Sequence, residues 1–312
     1  MQLRQLRYFV KIVEAGGFSR AAALVHVAQP ALSQQIAELE AELGLSLLVR
    51  TPRGVRPTPA GEILCREATA ILRQIDALPA VLRSAGGELE GVVRIGFSST
   101  LASTLGAPLL DACRATMPKV TLRLATADSL TLGERLRAGQ LDLLLAFEDE
   151  PAPGFTRWPL FRQRFYFIHR ERLAAPDAAL TLEAIAAHPL VLPVQPNVAR
   201  APFDRLLAAA GLTPQVVAEA DLLSSILAAV QAGLGGTLLP KGDLSDVPGF
   251  EALTATPVEP PIHLTAVLLA SAERPLAAVA EAVRAVAVTV IRDRLAAAAP
   301  PGVELVTPTA RP

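Results

Sequence analysis

A chain of 312 residues, 51% of them hydrophobic, has material for about two domain cores. With a formal charge of −1, and apolar runs cut by Gly, Pro or charge before the ~20 residues that span a bilayer, the totals fit neither a uniformly basic nucleic-acid binder nor a helical membrane protein. Two cysteines (Cys65, Cys113) and four scattered histidines (His26, His169, His188, His263) lack ligand spacing, and no Gly-x-Ser-x-Gly elbow occurs, so no metal, cofactor or enzymatic activity is expected.

The charge is unevenly placed. Residues 1–58 carry seven basic side chains (Arg4, Arg7, Lys11, Arg20, Arg50, Arg53, Arg56) against four acidic ones (Glu14, Glu38, Glu40, Glu42), while the remainder is net acidic. Tyr8, Phe9, Ile12 and Val13 put one apolar face on a first helix, which Gly16-Gly17 ends. Ser19 is expected to cap a second helix running from Arg20 to about Val25, and Ala21, Ala22 and Ala23 allow close helix approach. A third helix is predicted over Gln29–Leu43, with Pro30 in its first turn and Gly44 past its end. Leu32, Ile36, Leu39 and Leu43 turn inward, and Gln29, Ser33, Gln34 and Gln35 form a polar, uncharged start on the other face. Glutamine offers a donor and an acceptor together, as adenine N6 and N7 require, and a recognition helix enters the major groove by its N-terminal end. An ordinary exposed face has the same composition, and the segment directly after the helix decides between the two. Leu47–Thr58 reads as a two-stranded wing with arginines at its tip, suited to phosphates or the minor groove.

Beyond the wing, Leu64, Ala68, Ile71, Ile75, Leu78 and Leu82 alternate spacings of four and three, an a/d seam that asks for a partner helix. Packing of this helix on its own domain is the alternative. Pro79 is expected to kink or end it, with Gly86-Gly87 as the break.

The runs Leu6-Arg7-Tyr8-Phe9, Phe18-Ser19-Arg20-Ala21-Ala22, Gln29-Pro30-Ala31-Leu32-Ser33, Leu43-Gly44 and Thr58-Pro59-Ala60-Gly61 together resemble the signature of LysR-type transcriptional regulators, densely over residues 1–61. Lys11–Ala15, Val27-Ala28-Gln29 and Arg50–Val55 also look like the nitrogen-assimilation-control branch. The resemblance implies a winged helix-turn-helix at 1–58, a dimerisation helix at 59–87, and an effector domain at 88–295. It further implies a homodimer paired into a tetramer on double-stranded operator DNA, and admits RNA polymerase as a further partner. Gln29, Pro30, Ser33 and Gln34 would face bases or nearby phosphates, with Arg53 on the wing; Ser19, Arg20 and Arg50 complete the candidate DNA set. Many relatives carry Arg where Gln34 stands, so base preference there is expected to differ.

Residues 91–295 alternate short apolar strands with helices, an α/β pattern. Strand Val92–Phe97 runs into Ser98-Ser99-Thr100 and a helix, where hydroxyls and unpaired N–H groups suit an anion; plain capping is the alternative and both uses can coexist. Leu136-Arg137-Ala138-Gly139-Gln140-Leu141-Asp142 again resembles the family's regulatory domain, a two-lobed fold like a periplasmic binding protein. Lobe I is expected near 91–163 and 265–295, lobe II near 164–264. By that resemblance a small organic acid would sit against Ser98, Ser99, Thr100 and Ser129 of lobe I and Gln195, Asn197 and Val198 of lobe II. Phe147 and Phe161 are expected in the core. Glycines 233, 235 and 236 follow a helix rather than a strand, which excludes a dinucleotide loop. Residues 296–312 read as a flexible tail. The opening residues lack a signal-peptide layout, so a cytoplasmic protein with reduced cysteines is expected. A small-molecule-binding module with no regulatory role is the competing reading; residues 1–61 weigh against it.

Overall fold

The computed structural model describes residues 1–52, 54–84, 89–171, 173, 178–241 and 250–306. The chain divides into two compact units, the first spanning Met1–Gly86 and the second beginning at Gly87.

The first unit places α1 (Leu3–Ala15), α2 (Phe18–Leu24) and α3 (Gln29–Leu43) ahead of an antiparallel pair, β1 (Leu48–Thr51) and β2 (Gly54–Pro57), and then α4 (Pro59–Ser84). Leu6, Phe9 and Ile12 of α1, Ala21 of α2, and Leu32, Ile36 and Leu39 of α3 form one core, closed by Leu47, Ala68 and Leu72. Each fully buried Leu, Ile or Phe contributes on the order of 1.5–3 kcal/mol, so these spacings dictate the three-helix arrangement. Gly16 and Gly44 end α1 and α3 in the left-handed region at φ 65°. The cap of α2 is Gly17 rather than Ser19: the helix starts at Phe18, so Ser19 lies inside the first turn and is exposed.

Helix α4 continues through Pro79 to Ser84. Pro79 removes one backbone donor, and the turns on either side carry the helix past it. Gly86-Gly87, the expected break, lies outside the described residues.

The second unit is built on a nine-stranded sheet whose main path runs β4 (Val120–Ala127), β3 (Gly91–Ser98), β5 (Leu143–Glu148), β12 (His263–Ser271), β6 (Phe155–His169), β11 (Thr254–Glu259) and β7 (Leu180–Thr181) among the described residues. In lobe I, β3 (Gly91–Ser98) lies parallel to β4 (Val120–Ala127) and β5 (Leu143–Glu148), with α5 (Ser99–Thr116), α6 (Ser129–Arg137) and α10 (Ala278–Ala298) beside them. Lobe II contains β8 (Pro189–Pro193) parallel to β9 (Gln215–Ala220), with α7 (Leu182–Ala186), α8 (Ala201–Ala209) and α9 (Leu223–Gln231). A single long strand, β6 (Phe155–His169), serves both lobes: it pairs with β12 (His263–Ser271) along lobe I and with β10 (Thr237–Pro240) and β11 (Thr254–Glu259) in lobe II. Phe147 and Phe161 meet edge to face inside the core, their centroids 6.5 Å apart.

The expected tail at 296–312 is corrected as far as Val306. Helix α10 extends to Ala298, and β13 (Val303–Leu305) pairs antiparallel with β6 at Gln163, Arg162 and Phe161. Residues 307–312 lie outside the described set.

Candidate nucleic-acid interface and ligand cleft

The first unit holds the N-terminal turn of α3 outward. Gln29, Pro30 and Gln34 are exposed and Ser33 is half-buried, while Leu32 and Ile36 of the same helix are sealed in the core. Two hydrogen bonds one turn long order the polar face: Gln29 Nε2 donates to Ser33 Oγ at 3.0 Å, and Gln34 Nε2 to Glu38 Oε1 at 3.0 Å. Side chains fixed in this way lose less rotamer entropy when they meet a base edge.

The wing is tied to the same frame. Glu40 of α3 accepts from the amides of Leu47 and Leu48 at 2.6 and 3.2 Å, and Val55 N donates to Gly16 O at 3.0 Å. Gly54, at φ 123°, leaves no room for a Cβ, which would lie 2.4 Å from Gly16 O. Arg50 is exposed, with its guanidinium 5.4 Å from the Phe18 ring centroid; Arg20 is exposed and reaches Gly16 O at 3.3 Å. Arg53 lies outside the described residues. The candidate DNA set otherwise shares one unit: Gln29, Pro30, Ser33 and Gln34 on α3, Ser19 and Arg20 on α2, Arg50 on β1.

The apolar seam of α4 is covered in its first turns and open further along. Gly61, Leu64, Ala68 and Leu72 pack against the three-helix core or the wing, which is the own-domain alternative realised for the first turns of the seam. Ile71 and Leu78, further along the same seam, and Ile63 beside it stay 40%, 51% and 55% exposed. The side chains of Pro79 and Leu82 lie outside the described set.

In the second unit the lobes enclose a cavity of about 260 Å³. Ser98, Ser99, Thr100 and Ser129 line it from lobe I and Asn197 from lobe II, so five of the seven expected residues meet there. The other two do not. Gln195 turns away to donate to Asp204 Oδ2 at 2.6 Å, and Val198 lines a neighbouring cavity of about 560 Å³. Ser129, Phe147 and Asn197 border both spaces, so the two are adjoining chambers; Phe147 is buried in the core and also forms a wall.

Charge in the inner chamber departs from expectation. Asp128 and Asp221 line it, and among the described lining residues none is basic. Burial pushes the Asp128 carboxyl up, but hydrogen bonds from Thr131 and from the Leu130 amide more than offset it, leaving the group below its ordinary value and ionised. Arg200 does not face the ligand space. Only 8% exposed, it donates to Pro193 O at 2.8 Å and to Asp204 at 2.9 Å, and pairs with Glu219. Asp221 escaped sequence reasoning although, like Ser98, it stands where a strand hands over to a helix.

Cys65 and Cys113 line neither chamber, and burial raises both thiols above the ordinary value. Among the described residues no His/Cys/Asp/Glu cluster could hold a metal, and no helix is long and apolar enough to cross a membrane.

Residues 3–62 match the profile described as "Bacterial regulatory helix-turn-helix protein, lysR family", and residues 86–304 match "LysR substrate binding domain". Over 242 residues the chain is 38% identical to the nitrogen assimilation regulatory protein nac of Klebsiella aerogenes, covering 77% of this chain and 79% of that one. It is 31% identical over 241 residues to the DNA-binding transcriptional dual regulator OxyR of Escherichia coli (strain K12), covering 77% and 79%. Among solved structures, a full-length OxyR variant from Pseudomonas aeruginosa aligns with TM-score 0.69 at 26% identity, covering 94% of this chain and 95% of that one. CbnR complexed with its target DNA aligns with TM-score 0.66 at 23% identity over 94% and 99%, which speaks for the fold.

Proposed function

The chain belongs to the LysR family of DNA-binding transcriptional regulators with an effector-binding domain, and on that premise we propose which of its residues read the operator and which receive the effector. The relatives it matches are regulators rather than enzymes. Gln29, Ser33 and Gln34 contact base edges or adjacent phosphates from the N-terminal turn of α3, Pro30 shapes that turn, and Ser19, Arg20, Arg50 and Arg53 position the unit on the backbone. The observation that carries this reading is the division of α3 into a sealed apolar face and an outward, hydrogen-bonded polar one. The Ile63, Ile71 and Leu78 face of α4 seats a second copy, and dimers pair into a tetramer on a site with dyad symmetry. A small molecule held in the chamber between the lobes sets the regulator's state.

The low charge of the first unit makes affinity depend on joining copies and specificity depend on glutamines. Replacing Gln34 by alanine is therefore expected to weaken binding to the cognate operator by ~1–3 kcal/mol and binding to random DNA far less. Anisotropy titrations on both duplexes decide it; an equal loss on the two would remove Gln34 from base reading.

A thiol-based redox response is no part of this reading. Such a sensor needs an accessible, low-pKa thiol, and here both thiols are raised by burial.

A further inference from the structure

The N-terminal ends of three helices, α5, α6 and α9, open onto the inner chamber. Each helix start leaves backbone N–H groups without an intrahelical partner. In α6 that need is met: Asp128 stands as its cap and accepts from Thr131 N at 2.9 Å. In α5 the cap is Ser98, yet its hydroxyl makes no capping bond; only 8% exposed, it has no hydrogen-bond partner at all. In α9 the cap is Leu222, which has no side chain able to serve. Asn197 spends its carbonyl oxygen on the amides of Ala199 and Arg200, leaving the amide donor for the chamber. Lobe I and lobe II thus offer donors that call for an anion or strong acceptor.

Asp128 and Asp221 stand beside these donors, with no basic residue among the described lining. A bare carboxylate entering here meets two like charges, and a bare ammonium meets two uncapped helix starts. One molecule with both charges satisfies both sets.

Resting on the reading of this chamber as the effector site, we propose that the effector is a zwitterion of the α-amino-acid type. Its carboxylate takes hydrogen bonds from Ser98 and the first amides of α5, and its ammonium sits against Asp128 and Asp221. This replaces the plain organic acid expected from the sequence. The side chain extends toward the outer chamber of about 560 Å³, where Leu130, Leu144, Phe155 and Leu269 supply apolar wall.

The test is a thermal-shift and calorimetric screen of the full chain against the proteinogenic L-amino acids. The best binder is then compared with its matched deaminated acid and decarboxylated amine. At least one amino acid is expected to raise the unfolding midpoint, with both truncated analogues weaker by ~100-fold. Asp221→Asn is expected to weaken the amino acid at least ~10-fold while leaving the deaminated acid no weaker, and Ser98→Ala to weaken both. A deaminated acid that binds within a few-fold of the amino acid, or a screen in which no amino acid binds, overturns the zwitterion. If the acid then binds and Ser98→Ala weakens it, the chamber reading survives that failure. A binder indifferent to both Ser98→Ala and Asn197→Ala overturns the chamber reading itself.

Discussion

Replacing Gly61 by alanine is expected to abolish operator binding while leaving the unfolding of the second unit, followed through Trp158, unchanged. Gly61 stands in the first turn of α4, where Thr58 caps the helix by accepting from Gly61 N at 3.0 Å and donating to Ser46 O at 2.7 Å. Thr58 N also donates to Leu47 O at 2.9 Å, drawing that carbonyl against the Gly61 Cα. A Cβ at this position would lie 2.0 Å from Leu47 O and 3.1 Å from Leu47 C. Neither atom belongs to a flexible side chain, so relief requires the wing to lift from α4 and the Thr58 bond to break. The ordinary gain of ~1 kcal/mol for Gly to Ala in a helix is overwhelmed, and a net loss of ~3 kcal/mol is expected. Gly106 supplies the contrast: it lies inside α5, and its added Cβ would meet Leu124 Cδ1 at 3.8 Å, an ordinary contact. Gly106→Ala should therefore be neutral or mildly stabilising. The chain's single tryptophan, Trp158, lies on β6 of the second unit, so its fluorescence and DNA binding report the two units separately. Retained operator affinity in Gly61→Ala would show that the wing does not need this close approach.

Arg200→Ala is expected to produce the opposite pattern, with a lower Trp158 midpoint and lost ligand binding at undiminished basal DNA affinity. Its guanidinium links the end of β8 through Pro193 O, the start of α8 through Asp204, and β9 through Glu219. Removal leaves two carboxylates and a carbonyl facing one another without a cation. Stranding partners of a buried pair costs about 3–5 kcal/mol, and the exposure of Glu219 moderates this to about 2–4 kcal/mol. The midpoint should fall by roughly 6–12 °C. Pro193, whose carbonyl the guanidinium holds, lines the inner chamber, so the same change loosens the ligand site. The exposed Arg205–Asp149 pair is the comparison, and Arg205→Ala should cost under ~1 kcal/mol. An unshifted midpoint in Arg200→Ala would make the network dispensable.

Local chemistry made the first unit readable. Pro30 at the start and Gly44 at the end bracket α3, and a 3.6-residue period assigns Leu32, Ile36 and Leu39 to the core. Ser19 misled because a capping residue type placed too late looks the same in sequence; the chain caps the helix at Gly17 instead. Pro79 misled in a related way: α4 passes through it, as α5 passes through Pro108, since a proline removes only one backbone donor from the helix. What depends on pairing distant segments stayed hidden. Val303–Leu305 reads as part of a loose tail until β6 offers it an edge. The ligand chamber was half legible, because Ser98 and Ser129 sit at strand-to-helix junctions that sequence can mark. Gln195 is drawn off by Asp204, which leaves no local signal, and Asp221, although it stands at such a junction, reaches the chamber only because the two lobes approach.

The most direct measurement is selection of duplexes from a random library by the full chain, followed by anisotropy titration of the winning site and a scrambled duplex at one salt concentration. A dyad-symmetric site bound ~10³-fold or more tightly than the scramble is expected, with Gln34→Ala reducing that ratio. No enriched sequence, or a ratio near one, would contradict operator reading by α3.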